Sequence, residues 1–223
     1  MPPLEIPGPS GALEALLDEP APERGVNGDG LVEIGRRQGV RAAVVFGHPH
    51  PQYGGTMHTK TVFHATKALA RIGCAVVRFN FRGVGKSAGS WNEGIGEKQD
   101  FRAALDFAQE RYPGVPLWTA GMSFGSWIAL TVGAEDPRIS TLLGIAIPVP
   151  RYDLSAVRDS TKAKFFIHGE RDDICPLQSV RELYALAADP KELVVIDGAD
   201  HVFDGKAGDV ADAIEDLLGD WTA

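Results

Sequence analysis

The chain has 223 residues, of which 44% are hydrophobic and 23% are charged, and its formal net charge is −8. This composition is ordinary for a folded domain and excludes a disordered chain. The 26 glycines and 15 prolines follow no triplet repeat, which excludes a collagen-like fibre. Because an acidic chain repels phosphate groups, we expect neither nucleic acid nor an anionic membrane as a partner.

The positions of the cysteines and the first residues of the sequence indicate the cellular compartment in which the protein is expected. Cys74 and Cys175 lie far apart in the sequence and cannot form a disulfide scaffold, which fits a reducing environment. No apolar run reaches the length of a membrane span. Residues 1–5 lack the basic and apolar regions of a signal peptide. We therefore expect a cytoplasmic protein.

The N-terminal segment predicts an antiparallel hairpin. The segments Leu4-Glu5-Ile6 and 13–17 flank the turn-forming sequence Gly8-Pro9-Ser10-Gly11. Residues 20–39, in contrast, are rich in proline, glycine and charge, and we interpret them as a loop. This loop is longer than its connection needs, so it could fold over the sheet edge, pair with another subunit in a homodimer, or be mobile.

Short apolar runs alternate with amphipathic segments over the rest of the chain. The runs predict six buried strands, at residues 42–46, 75–79, 116–120, 142–147, 165–167 and 193–196. Apolar residues at helical spacing run from Val62 to Ile72, and Gly73 suits the C-terminal cap of this predicted helix. Similar stripes predict helices near residues 101–108, 123–132, 177–187 and 210–217.

Strands that alternate with helices predict an α/β fold with a doubly wound, mostly parallel sheet. Helices on both faces would bury both sides of the sheet, which explains why the strands are continuously apolar. The sequence shows neither an internal repeat nor a second core, so residues 1–223 are expected to form one domain. In such sheets, functional residues gather at the carboxyl ends of the strands.

The segment Gly121-Met122-Ser123-Phe124-Gly125 follows a predicted strand and precedes a predicted helix. It fits the G-x-S-x-G pattern of a nucleophile elbow, a turn so tight that it requires glycines on both sides of the serine. Taken alone, the pattern also fits a glycine-rich turn whose serine caps the helix. Its position between strand and helix favours Ser123 as a nucleophile.

Two later loops supply the partners that a serine nucleophile needs. Asp172 and Asp173 follow the strand at 165–167, and they compete for the role of the acid, although both could be solvated carboxylates or helix caps. His201 follows the last strand and is the candidate base. Serine, aspartate and histidine, each after a strand and in this order, match the order of a catalytic triad in this architecture.

The loop at residues 47–55 follows the first parallel strand. Its backbone N–H groups are candidates for half of an oxyanion hole, and the N–H of Phe124 is the candidate for the other half. The alternatives are a structural turn and a metal site formed by His48, His50 and His58. No acidic ligand lies nearby and prolines separate the imidazoles, so we expect no metal and no other cofactor.

The segment at residues 82–88 imitates nucleotide-binding motifs. It fits G-x-G-x-x-A, and Gly85-Lys86-Ser87 resembles the end of a P-loop. A P-loop, however, requires a glycine where Asn80 stands, and a helix must begin at once to face the phosphate. We therefore interpret the segment as a tight glycine turn, with Arg82 in an ion pair.

Together these loops resemble those of a small α/β-hydrolase. The subgroup carries HPHPxYGG, found here at residues 48–55, and RGVGxS, found here at residues 82–87. The resemblance runs from Leu4 to about Trp221 and implies the α/β-hydrolase fold. Many members insert a helical lid, but the connection at residues 149–163 is too short for one, so we expect an open, shallow site.

The resemblance also implies roles for two residues. The acid in the GxxDxxxP loop of the family falls on Asp172, four residues before Pro176, and this favours Asp172 over Asp173. The oxyanion N–H of the first loop falls on His50, although Pro49 replaces the family's glycine.

The expected activity is that of a serine hydrolase that cleaves small-molecule carboxylic esters through an acyl-enzyme, with Ser123, His201 and Asp172 as the triad. The alternatives are a peptidase or amidase, a thioesterase, and a non-catalytic binding protein of the same fold. Aromatic residues belong to the core more often than to a pocket. With that alternative open, the candidates for lining a substrate pocket are Tyr53, Trp91, Trp127, Ile174 and Phe203.

Overall fold

The computed structural model describes residues 4–21, 24–27, 30–33 and 39–222. The strands are β1 (Leu4–Gly8), β2 (Gly11–Asp18), β3 (Arg24–Asn27), β4 (Gly30–Glu33), β5 (Ala43–Gly47), β6 (Ala75–Phe79), β7 (Leu117–Met122), β8 (Ile139–Ile145), β9 (Ala163–Gly169) and β10 (Lys191–Ile196). The helices are α1 (Lys60–Arg71), α2 (Ile95–Arg111), α3 (Phe124–Glu135), α4 (Ser155–Asp159), α5 (Leu177–Leu186) and α6 (Ala207–Leu218). None of the helices in these described ranges is both long and apolar enough to cross a membrane.

Eight strands form one sheet in the order β1-β2-β6-β5-β7-β8-β9-β10. The first two form the predicted antiparallel hairpin, with Leu4 opposite Ala15 and Gly8 opposite Gly11. β2 is also antiparallel to β6, whereas the remaining pairs are parallel. The predicted α/β fold, with its mostly parallel sheet and its N-terminal hairpin, is confirmed.

Apolar side chains cover both faces of the sheet, because successive residues of a strand point to opposite sides. On β5, Val45 belongs to one apolar cluster and Phe46 to the other. The first cluster is completed by α2, α3, α4 and α5, and the second by α1 and α6. Because β5 to β10 run parallel to one another, their carboxyl ends lie at one edge of the sheet, where the loops that follow them meet.

The interpretation of residues 20–39 as a loop is wrong in part. Residues 24–27 and 30–33 form the antiparallel pair β3–β4, which is a separate two-stranded sheet. Residues 22–23, 28–29 and 34–38 lie outside the described part of the chain. The overlooked sequence signal is Gly28-Asp29, a dipeptide typical of two-residue hairpin loops.

The connection between β8 and β9 contains only the five-residue helix α4. A single helix of this length cannot form a lid domain, so the expected absence of a lid over the sheet edge agrees with the structure. The sequence did not predict α4, because five residues are too few to show an apolar stripe at helical spacing.

The side chain of His48 joins the loop after β5 to the loop after β6. Its buried ring accepts the N–H of Phe81 at Nε2, at 3.1 Å, and therefore carries its proton at Nδ1, which donates to the carbonyl oxygen of Pro49 at 2.6 Å. Burial lowers the pKa of His48 to about 4, because a charged ring would lose its hydration. The neutral imidazole thus connects the two loops.

We predict that burial of neutral His48 makes the folded chain less stable as the pH falls. The unfolded chain binds this proton near the ordinary pKa of 6.5, whereas the folded chain binds it only near pH 4. Between these values the unfolded state holds more protons, so stability falls as the pH is lowered, by roughly 2 kcal/mol at pH 5. Urea unfolding at pH 7.5 and pH 5 measures the loss.

The control is His48→Asn, which retains a donor and an acceptor but does not titrate in this range. Its loss of stability between the two pH values should be smaller than that of the unmodified chain. Equal losses in the two chains would contradict the assignment of a neutral, buried imidazole.

Candidate active site

Ser123 lies at the turn between β7 and α3. Its backbone conformation, with φ 53° and ψ −123°, is one that residues other than glycine rarely adopt. Its N–H donates to the carbonyl oxygen of Ile145 at 2.8 Å, which attaches the turn to the neighbouring strand β8. A methyl group at Gly125 would overlap the carbonyl oxygens of Gly47 and His48. The elbow therefore requires glycine at this position, as the G-x-S-x-G pattern predicts.

The Ser123 side chain begins a chain of hydrogen bonds across three loops. Its hydroxyl lies 2.8 Å from Nε2 of His201, and Nδ1 of the same ring lies 2.7 Å from Oδ2 of Asp172. A carboxylate accepts, so Nδ1 carries the proton and Nε2 has a free lone pair toward the hydroxyl. His201 and Asp172 are buried, while Ser123 is partly exposed.

The turn that carries Asp172 stabilises its charged form. Oδ1 accepts the N–H groups of Ile174 at 3.0 Å and Cys175 at 2.7 Å. Burial alone would raise the pKa of Asp172, but the hydrogen bonds from His201 and Cys175 outweigh it and hold the pKa below its usual value. Asp173 is exposed, and the described hydrogen bonds and ion pairs of His201 include none to it.

His168, at the end of β9, is a supporting residue to which the sequence analysis assigned no role. Its buried Nε2 lies 2.7 Å from the carbonyl oxygen of Cys175 and 3.3 Å from Oδ2 of Asp172. Because both neighbours are acceptors, Nε2 carries the proton and holds the turn beneath the carboxylate. A lone histidine within an apolar run carries no sequence signal for such a contact.

Two backbone N–H groups near Ser123 remain available as donors. The N–H of Phe124 begins α3, where first-turn N–H groups have no partner within the helix. The carbonyl oxygen of His50 accepts from Tyr53 and Gly55 and closes a tight turn. Among the described residues, neither Phe124 N–H nor His50 N–H donates a hydrogen bond, and the ring of His50 lies 5.0 Å from that of Phe124.

The donor atoms near Ser123 do not suit a metal ion. Both ring nitrogens of His48 are engaged by backbone groups, and Nδ1 of His50 accepts from the N–H of Gln52. Asp172, Cys175 and His201 do bring their donor atoms within 4.8 Å of one another. Burial raises the pKa of the Cys175 thiol to about 11, however, and a thiol must lose its proton to bind a metal. These contacts argue against the histidine metal site considered from the sequence.

The loop between β6 and α2 is anchored by buried charges. Arg82 and Asp100 form the expected ion pair, with two side-chain hydrogen bonds at 2.9 and 2.7 Å. Glu97 accepts the N–H groups of Asn92 and Gly94, which fixes the start of α2. These contacts hold the segment that carries Trp91 against the elbow.

The candidate pocket residues fall into three groups. Trp91 and Trp127 are partly buried and their rings lie 5.1 and 5.6 Å from that of Phe124. Tyr53 and Ile174 are exposed beside the site, at 84% and 45% of their surface. The expectation for Phe203 is corrected, because its ring is 1% exposed and packs in the cluster formed by α1 and α6.

Tyr152 adds a ring that the sequence analysis missed. It stacks on Trp127 at 4.0 Å and lies 6.1 Å from Phe124. The residue lies in the short connection before α4, and its alternation with charged neighbours gave no periodic signal.

The sequence and fold resemble those of known hydrolases. Residues 38–155 match the family described as serine aminopeptidase, S33. RP471, an uncharacterized protein of Rickettsia prowazekii (strain Madrid E), is 37% identical over an alignment of 180 positions, which covers 77% of this chain and 76% of that protein. XC6422 from Xanthomonas campestris, described as an α/β serine hydrolase without lid, is 33% identical with a TM-score of 0.84, and the alignment covers 96% of this chain and 92% of that one.

An α/β serine hydrolase homologue from Coxiella burnetii is 30% identical with a TM-score of 0.85, and the alignment covers 97% of each chain. The family match spans the loop after β5, the elbow at Ser123 and the sheet between them. The chain therefore belongs to the S33 family of α/β-hydrolases and is a hydrolase of the lidless serine hydrolase type.

Proposed function

We propose that the chain is a serine hydrolase that cleaves small, neutral carboxylic esters through an acyl-enzyme intermediate. The observation that carries the proposal is the hydrogen-bond chain from Ser123 through His201 to Asp172, with distances of 2.8 and 2.7 Å. A serine hydroxyl is a weak nucleophile at neutral pH, and an adjacent base that removes its proton makes it reactive.

In the first half-reaction, Oγ of Ser123 attacks the ester carbonyl carbon while Nε2 of His201 takes the hydroxyl proton. Asp172 stabilises the imidazolium that results and keeps the ring in the required tautomer. The carbonyl oxygen becomes an oxyanion, for which the N–H groups of Phe124 and His50 are the proposed donors. Loss of one such donor typically costs about 3 kcal/mol of transition-state stabilisation. The imidazolium then protonates the leaving alkoxide, and the alcohol departs.

In the second half-reaction, a water molecule attacks the acyl-Ser123 carbonyl carbon. His201 takes a proton from the water and then returns it to Oγ, so that the acid is released and the serine is regenerated. The proposed reaction uses only these side chains, the two N–H groups and water.

The pairing of the buried carboxylates favours a neutral ester over an aminopeptidase substrate, although the family is described by that activity. An aminopeptidase must bind a positively charged α-amino group, which calls for a free carboxylate. The buried carboxylates around the site already have partners: Asp172 accepts from His201, Asp100 from Arg82, and Glu97 from backbone N–H groups. A neutral acyl group requires no such partner.

The aminopeptidase therefore remains the second candidate, and it rests on the family description alone. A thioesterase or amidase would use the same residues with a different leaving group, and a non-catalytic binding protein would leave Ser123 unreactive. The first experiment below separates these cases by substrate and by variant.

We predict that the chain hydrolyses p-nitrophenyl esters from acetate to decanoate, and that Ser123→Ala lowers kcat/KM by about 10⁴-fold or more without changing thermal unfolding. The matched control is Ser140→Ala, which removes a hydroxyl from β8 and should retain activity. Turnover is followed by release of p-nitrophenol.

Alanine and leucine p-nitroanilides, acyl thioesters and simple amides are measured in parallel. Preferential cleavage of one of these classes would replace the ester with that substrate. Esterase turnover that survives in Ser123→Ala would contradict the nucleophile assignment.

We predict that Asp172→Asn lowers kcat by about 10⁴-fold, because an amide in place of the carboxylate favours the wrong tautomer of His201. Asp173→Asn makes the same chemical change in the adjacent, exposed residue and should alter kcat by less than about threefold. A larger loss in Asp173→Asn than in Asp172→Asn would reassign the acid.

A further inference from the structure

Two histidines face one oxygen atom of the buried acid Asp172. The first is His201, whose Nδ1 lies 2.7 Å from Oδ2 and whose Nε2 lies beside the Ser123 hydroxyl. The second is His168, whose Nε2 lies 3.3 Å from the same Oδ2 and 2.7 Å from the carbonyl oxygen of Cys175. The side chains of His168 and Asp172 are both fully buried. His168 therefore contacts the triad from the side opposite to the nucleophile, where a substrate does not reach it.

The surroundings of His168 determine which of its nitrogens carries the proton. Both neighbours of Nε2 are acceptors, so the proton lies on Nε2. Nδ1 is buried and has no hydrogen-bond partner among the residues that the structure describes. A charged ring would place a second N–H there without an acceptor, and burial already lowers the pKa of His168. At neutral pH His168 is therefore an uncharged donor.

The position of this donor matters because water cannot replace it. Oδ1 of Asp172 has two backbone donors, the N–H groups of Ile174 and Cys175. The described contacts of Oδ2 are those with His201 and His168. In a site without water, the positive end of an N–H group near a carboxylate oxygen is screened little and stabilises its negative charge. His168 thus acts on the oxygen through which Asp172 acts on His201.

The other titratable groups around this pair keep their charge near neutral pH. In the described part of the chain, Asp172 and His168 interact electrostatically with each other, with His201 and with Cys175. Burial raises the pKa of the Cys175 thiol to about 11, so the thiol stays neutral. Arg151, in the connection after β8, acts on this thiol and remains a cation. A change at His168 is therefore not masked by the titration of a neighbour.

We propose that His168 is a positioning residue of the triad: its neutral Nε2–H group stabilises the charge on Oδ2 of Asp172, and so sets the pH below which Ser123 loses its base. Without this group, the carboxylate would hold the proton of the His201 imidazolium more strongly. The pair of His201 and Asp172 would then take up its proton at higher pH. The inference rests on the proposed function, because His168 acts through the proposed triad.

The test compares His168→Met, which is apolar and has no donor, with His168→Gln, whose side-chain amide can place an N–H near the position of Nε2. We measure kcat/KM for p-nitrophenyl acetate across the acid limb of the pH–rate profile. In His168→Met this limb should move to higher pH by about half a unit, a threefold change in proton affinity. In His168→Gln it should return most of the way. The matched control is His64→Met on α1, whose described ring contact is with Phe63 and which should leave the limb in place.

A second measurement follows the ring nitrogens by ¹⁵N NMR in the folded chain, without substrate. The unmodified chain should show the proton of neutral His168 on Nε2. The pH at which the His201 ring takes up its second proton should be higher in His168→Met than in the unmodified chain. Because this arm needs no turnover, it decides the role of His168 even if the chain cleaves no ester.

Two outcomes would overturn the inference. The first is a neutral His168 with its proton on Nδ1, which is read from the unmodified chain and does not depend on whether a variant folds. The second is a folded His168→Met in which kcat falls equally at every pH and neither the acid limb nor the His201 titration moves. His168 would then do no more than hold the turn through Cys175.

Discussion

The close approach of backbone between the loop after β5 and the elbow after β7 is the constraint on which the site depends. A side chain at Gly125 would overlap the backbone of Gly47 and His48, so these segments can touch only through glycine. The contact brings the loop carrying His50 beside Phe124, and Ser123 adopts its unusual backbone conformation in the same turn. Parallel pairing of β5 with β7 sets this approach, and the two packed layers keep it rigid.

Electrostatics around the elbow follow one rule, that a buried charge must have partners. Asp172 is held by backbone N–H groups and by His201, and His168 supports the turn from below. Asp100 has Arg82, and His48 avoids the difficulty by remaining neutral. The buried carboxylates of the site therefore have their charge balanced by partners, which is consistent with a neutral substrate.

Apolar runs, helical stripes and glycine spacing in the sequence predicted most of the fold. Contacts between residues that are distant in the sequence could not be predicted from these patterns. The hairpin at residues 4–18, the parallel sheet and the elbow follow from apolar runs and glycine spacing. The pair β3–β4 was missed because composition suggested a loop, and Phe203 was misplaced because exposure cannot be deduced from residue type alone. His168 was overlooked because its role arises from a turn seven residues away.

The central claim is that His201 activates Ser123 as a nucleophile, and covalent trapping tests it most directly. The folded chain is treated with a fluorophosphonate, and the modified residue is located by mass spectrometry after proteolysis. The account predicts one adduct per chain, on Ser123, formed much more slowly in His201→Ala. An adduct on another residue, or a folded chain that forms none, would contradict it.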